Sequence, residues 1–241
     1  MKNCKLLLCS ALLVLLPLIL LGQDFRYAPD PKGVLVENQY YCLDFNVEHK
    51  QPNWVYYMLT QTHITGKTPR STTFKDCKQG DVASAKQCDY KGSGYDKGHL
   101  CPAADMKLSA EAMKATFQMW NMSPQVPSFN RGRWSDLEAL VRSYIKSDKD
   151  TLFIVTGPVF ISNNGSIGEG KVTVPSYFYK VVYSNTRGGI GFLMPNQKIS
   201  SKLQSWQISI ELIEALTGID FFPQLPKEFQ AKIESQVVWW D

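Results

Sequence analysis

The chain has 241 residues, 44% of them hydrophobic and 20% charged. That is enough for one domain with a sizeable core, and it excludes a disordered or collagen-like chain. The formal net charge of +4 is too near balance for a protein that coats nucleic acid by charge alone, although it leaves room for a local basic cleft.

At the start, Lys2 and Lys5 precede a leucine-rich apolar run over residues 6–21, interrupted by Ser10 and Pro17. A basic start, an apolar stretch and the following Gly22-Gln23 are the marks of a secretory signal. The run is shorter than the roughly 20 apolar residues that a membrane-spanning helix needs. The expectation is a leader at 1–22, a single domain at 23–241, and a secreted or periplasmic product with no stable membrane association. Losing Lys2 and Lys5 from 26 basic residues would leave 24 against 22 acidic ones, a net charge of +2.

Four cysteines follow the leader: Cys42, Cys77, Cys88 and Cys101. An even number in an exported chain predicts two disulfides. Cys77 and Cys88 flank the short polar stretch CKQGDVASAKQC, which favours that pair and leaves Cys42 with Cys101. The other reading, thiolates and His99 around zinc, lacks the close C-x-x-C pairs usual for zinc sites.

Residues 24–38, with two prolines and a glycine, read as an extended lead-in. Residues 39–46 and 53–64 are rich in aromatic and β-branched side chains and read as strands. Residues 65–94 form a long polar segment, a length usually reserved for functional loops; it contains Arg70. Residues 109–121 have helical spacing, with Ser109 as cap and Met113, Phe117 and Trp120 on one face. After Pro124 and Pro127, residues 130–146 read as a second helix that buries Trp134, Leu137, Val141 and Tyr144. Residues 151–160 form an apolar strand. Residues 176–184 and 189–196 are strands joined by a glycine-containing turn. Residues 205–218 read as a helix closed by Gly218. Strands and helices alternate without a βαβ rhythm, so the prediction is a single α+β domain with a mostly antiparallel central sheet flanked by helices.

Four features could carry chemistry. The stretch YDKGHLCPAADM sets Asp96, Lys97 and His99 around Gly98; a neutral imidazole can take a proton near pH 7, and a neighbouring cation can hold a phosphate. Taken alone, His99 could equally be a structural histidine. Asn121 and Asn130 bracket NMSPQVPSFN, and an amide oxygen suits a hard cation such as Mg²⁺, whereas both residues could instead cap turns. On the following helix, Glu138 and Arg142 share a face at four-residue spacing, as an ion pair or as part of a site. A regular helix would separate Asn130 from Glu138 by a rise of roughly 12 Å, which argues against both binding one ion directly. Arg70 is a candidate phosphate clamp through its planar fork.

DKGHL followed by NMSPQVPSFNRGRWSDLE, then VTGPVF, VPSYFYKVV, FLMPN and IELIEALTGIDFF, resembles the DNA/RNA non-specific endonuclease (endonuclease G-like) family, with its ββα-metal active site. The resemblance covers nearly the whole chain after the leader. It implies a metal-dependent endonuclease that hydrolyses DNA and RNA without strong sequence preference, with Mg²⁺, or Mn²⁺ in its place. It implies His99 as general base, Asn130 as the direct metal ligand and Glu138 acting through the metal's waters. Asn121 would brace the site, and Arg70, Lys97 and Arg142 would meet phosphate. The partners implied are the two nucleic acids, and a homodimer is compatible with the pattern. The alternative is a catalytically weak nucleic-acid-binding protein of the same fold. Three positions depart from the family's motif: Lys97 replaces an arginine, Arg131 a glutamine and Phe129 a leucine.

Overall fold

The computed structural model describes residues 24–147 and 150–240; the proposed leader lies outside the described residues. The chain opens with β1 (Val34–Glu37), β2 (Cys42–Asn46) and β3 (Gln51–Thr60). The predicted strand over 53–64 stops early, because Gln61–Thr65 turns into a single helical turn. A short hairpin, β4 (Asp96–His99) with β5 (Met122–Gln125), encloses helix α1 (Ala110–Thr116). Ser109 caps α1 by accepting from the Ala112 N–H, as the sequence predicted. Helix α2 (Ser135–Ser143) follows, then β6 (Thr151–Val159), β7 (Tyr177–Ser184), β8 (Gly188–Pro195) and β9 (Gln207–Ile208). The chain closes with α3 (Ile210–Thr217), which ends on a left-handed Gly218, and with α4 (Lys227–Glu234).

Seven strands form one sheet in the order β1-β2-β3-β6-β7-β8-β9, every neighbouring pair antiparallel. This is the predicted α+β architecture. The central strands are buried on both faces, so their side chains divide by the two-residue period of a strand. Val55, Tyr57 and Leu59 of β3, with Phe178 and Val182 of β7, enter one core together with Trp134, Leu137 and Val141. Trp54 and Tyr56, with Tyr179, Val181 and Tyr183, enter the other, packed against Ile210, Ile213 and Ile233 of α3 and α4. The β4–β5 hairpin, α1 and α2 therefore cover one face of the sheet, and α3 and α4 cover the other.

This division overturns the expected disulfides. All four cysteines are free. Cys42 belongs to the α3–α4 core and Cys101 to the core under the hairpin, so the sheet itself lies between them. Cys77 is bonded across a small hairpin to Ser84, whose N–H donates to the Cys77 carbonyl at 2.9 Å, which leaves Cys88 four residues beyond the closure. Among the described residues, no helix is long and apolar enough to cross a membrane.

Candidate active site

His99 ends β4 opposite Met122, and Asp96 starts it opposite Gln125. Gly98 has to be glycine: a Cβ there would stand 2.2 Å from Gln125 Oε1, and Gln125 is fully buried. The hairpin can close, and His99 can reach its place, only without that carbon.

The His99 side chain is almost fully buried, edge-on to Phe117 at 4.7 Å between ring centroids and 5.7 Å from Phe74. It bonds to the Lys97 backbone, while its Nε2 has no partner. The bond therefore falls to Nδ1, and in the neutral ring this leaves the Nε2 lone pair free. Burial, then the positive charges of Arg70 and Lys97, hold its pKa down to about 3. Each cation rests on one of the flanking rings: Arg70 lies 5.2 Å from the Phe117 centroid and Lys97 Nζ lies 4.6 Å from that of Phe74.

Asn121 lies behind this group. Its Oδ1 accepts from the Cys101 N–H at 2.8 Å, and its Nδ2 donates to the Cys101 and Thr116 carbonyls at 2.9 Å each. Its backbone carbonyl accepts from the Leu100 N–H. With every polar atom committed and no exposure, Asn121 braces the segment that follows His99 and does not reach the pocket. Asn121 thus stands outside the pocket and holds the backbone around it.

The predicted helix over 130–146 is not continuous. Residues Asn130–Trp134 form a wide π-type turn, Gly132 leaves helical geometry at φ −110° and ψ −117°, and the regular helix begins at Ser135. The straight-helix spacing between Asn130 and Glu138 therefore does not apply, and both side chains line one pocket. Asn130 Nδ2 donates to Asp96 Oδ2 at 2.9 Å, which leaves the amide oxygen as the atom available to a cation. Arg131 grips the same carboxylate with Nε at 2.8 Å and Nη2 at 2.6 Å. The Arg131 guanidinium pins Asp96, and Asp96 in turn orients Asn130. Phe129, the third departure, stacks at 5.6 Å on Phe178 and anchors the turn to the sheet.

Arg142 does not pair with Glu138, its neighbour one turn away. It pairs with Asp105 at 2.7 Å, and Asp105 also accepts from the Tyr57 hydroxyl at 2.9 Å. Burial pushes the Glu138 carboxyl up, and Lys180, Arg142 and Arg70 pull it back.

A pocket of about 570 Å³ gathers Arg70, Phe74, Asp96, Lys97, His99, Asn130, Arg131, Glu138 and Arg142. Six of the seven sequence-predicted residues thus meet; Asn121 supports from behind. Four cations face two carboxylates, so the pocket carries a net positive charge suited to phosphate. Its oxygen donors, Asn130 and Glu138 with no thiolate among them, fit a hard divalent cation and not zinc. Sequence reasoning gave no role to Asp96, Phe74 or Asp105, nor to Lys180 beneath them. A charged residue inside an apolar strand, YFYKVVY, was the available signal for Lys180.

A histidine at the end of the first strand of a two-stranded hairpin, followed by a helix that presents a carboxylate to the same pocket, is the ββα active-site arrangement of nucleases. The profile of the DNA/RNA non-specific endonuclease family matches residues 26–228. The chain is 33% identical over 241 residues to a nuclease of Nostoc sp., covering 91% of this chain and 85% of that one. It is 30% identical to human mitochondrial endonuclease G, covering 85% and 74% respectively. A solved EndoG/EndoGI complex superposes with a TM-score of 0.74 at 29% identity, covering 81% of this chain and 88% of that one. The chain belongs to the DNA/RNA non-specific endonuclease family.

The same comparisons correct the expected localisation. Related nucleases of Schizosaccharomyces pombe, Xenopus laevis and human are mitochondrial, so the family does not bring a secreted or periplasmic address with it, and that expectation does not stand.

Proposed function

We propose that this endonuclease hydrolyses phosphodiester bonds of both DNA and RNA in a metal-dependent reaction, with His99 as general base. The observation that carries the reading is the unpartnered Nε2 of a neutral His99 lining the same pocket as Asn130 and Glu138. A water beside the scissile phosphate gives its proton to Nε2 and attacks phosphorus. Asn130 Oδ1 would hold Mg²⁺, or Mn²⁺, directly, and Glu138 would hold it through water. Such an ion supplies charge stabilisation at the phosphate and the leaving oxygen. Arg70 and Lys97 lie beside the base and meet the phosphate, and Arg142, fixed by Asp105, faces the developing negative charge. The pocket residues address phosphate, and nothing in this set reads base edges, which accounts for cleavage without sequence preference.

The test is cleavage of plasmid DNA and of RNA by purified protein, with Mg²⁺ or with chelator. Cleavage of both that chelation abolishes is expected. Binding without cleavage would make the protein a catalytically weak nucleic-acid binder, and cleavage that persists in chelator would remove the metal from the reading.

A further inference from the structure

We propose that a second cavity, walled by Tyr95, Tyr177 and Trp206, is a base-stacking subsite for the single-stranded nucleic acid that flanks the scissile phosphate. The proposal rests on the reading that the catalytic pocket takes a nucleic-acid strand, and it adds the place where the bases of that strand go.

The cavity has a volume of about 640 Å³. Its three rings come from the ends of three elements: Tyr95 immediately precedes β4, Tyr177 opens β7 and Trp206 immediately precedes β9. All three are half-buried. Rings in the core of this fold pack on one another, as Trp134 does on Phe178. Tyr95, Tyr177 and Trp206 meet no other ring among the described residues. Their surfaces toward the cavity are therefore unmatched, and every nucleobase has a π-face to offer them.

The cavity continues the catalytic pocket. Tyr95 adjoins Asp96, which lines that pocket, and it lies four residues before His99, about 13 Å along an extended strand. Asn196, on the cavity wall, fastens it to the His99 hairpin. Its Oδ1 accepts from the Val126 N–H at 2.9 Å, and its Nδ2 donates to the carbonyls of Pro124 at 3.0 Å and Pro175 at 3.1 Å. Pro124 stands opposite Lys97 in that hairpin. Arg133, in the turn that carries Asn130, donates to the Ser200 carbonyl at 3.0 Å, and Trp206 Nε1 donates to Ser201 Oγ at 2.8 Å. The hairpin and turn that place His99 and Asn130 thus also place Tyr95 and Trp206.

The charges select nucleic acid as the occupant. Lys198 and Lys202 are exposed on the loop between Gln197, which lines the cavity, and Trp206. Neither lysine has an ion pair among the described residues. Free ammonium groups beside aromatic faces suit a strand of phosphates and bases. Asn196 spends both ends of its amide on the backbone, so it reads no base edge. Stacking of this kind accepts any base.

The experiment measures affinity for a short fluorescein-labelled thymidine strand by anisotropy, in chelator and again in the His99→Ala background, so that the strand stays whole. Trp206→Ala and Tyr95→Ala should each weaken binding by about 5- to 150-fold, the worth of one stacked base. Trp206→Phe keeps a ring but loses the bond to Ser201, and it should stay near the parental affinity; a phenylalanine variant as weak as alanine overturns stacking. The same backbone built from abasic units keeps the phosphates without the bases. It should bind the parent more weakly, and Trp206→Ala should bind it no worse than the parent does. Equal parental affinity for the full and abasic strands overturns the proposal, as does a Trp206→Ala loss that is the same for both. Should the alanine variants fail to fold, photocrosslinking of an iodouracil strand to the unaltered chain decides: the adduct must fall on peptides that carry Tyr95, Tyr177 or Trp206, and adducts confined to other peptides overturn the proposal. If the parent cuts neither DNA nor RNA, the nuclease reading fails, while the binding and crosslinking measurements still decide the subsite.

Discussion

Replacing His99 by alanine separates its chemistry from its packing. A positioned base contributes typically ~10²–10⁴-fold to rate, so single-turnover cleavage by His99→Ala should fall by that factor while nucleic-acid affinity stays near the parental value. Affinity should survive because Arg70 and Lys97 keep their own supports, the Phe117 and Phe74 rings. The burial that shapes the base also leaves a thermodynamic mark. The folded-state pKa of His99 is about 3, below the ordinary 6.5 that the unfolded chain recovers. Above pH 6.5 neither state binds the proton and stability is unaffected. As pH falls from 6.5 toward 3 the unfolded state takes up a proton that the folded state refuses, so the parent loses up to about 1.4 kcal/mol per pH unit from this group. Urea unfolding at pH 7.0, 6.0 and 5.0 should show that slope in the parent and a shallower one in His99→Ala. The same burial predicts no acid limb near pH 6.5 from His99 in kcat/KM, which reports the free enzyme. A folded His99→Ala protein that cleaves at the parental rate would refute the base assignment, and equal pH slopes would refute the buried neutral imidazole.

Asn130→Ala should weaken Mg²⁺ binding in calorimetry as well as cleavage; parental Mg²⁺ affinity would place the ion elsewhere. Gly98→Ala should cost about 1–3 kcal/mol in chemical denaturation, because the added carbon drives into buried Gln125 and forces the hairpin apart. Asp105→Ala should cost about 3 kcal/mol, since it strips the contact partner from Arg142 and an acceptor from Tyr57. Alkylation followed by non-reducing peptide mapping should find Cys42, Cys77, Cys88 and Cys101 as unlinked thiols.

What could be read from the sequence, and what could not, follows from the range of the forces involved. Local signals were legible: the Ser109 cap, the Gly218 stop and strands β2, β3, β6, β7 and β8 all depend on residues close in the chain, whereas the residues of β1 read as an extended lead-in and those of β9 as the start of a helix. The pairing of cysteines was not, because it depends on which face of a sheet each side chain enters, and a single strand's pattern does not reveal its partner's. The break at Gly132 was missed for a related reason. Apolar spacing over 130–146 is helical on average, and one residue outside helical geometry barely disturbs it, yet that residue allows Asn130 and Glu138 to share a pocket.

The candidate site shows the same contrast. His99, Asn130, Glu138 and Arg142 were picked out through an ordered motif, whereas Asp96 and Asp105 bond to two of them from elsewhere in the fold. Asp96 turns the Asn130 amide, and Asp105 holds Arg142. Each supporting charge is set by burial and by a partner distant in sequence, by 34 residues for Asp96 and Asn130 and by 37 for Asp105 and Arg142. Arg131 makes the same point. An arginine here looks like a phosphate contact, but its guanidinium is spent on Asp96, one hydrogen bond away from the Asn130 amide proposed to hold the metal. Its effect should therefore reach the substrate through Asn130 and not by direct contact.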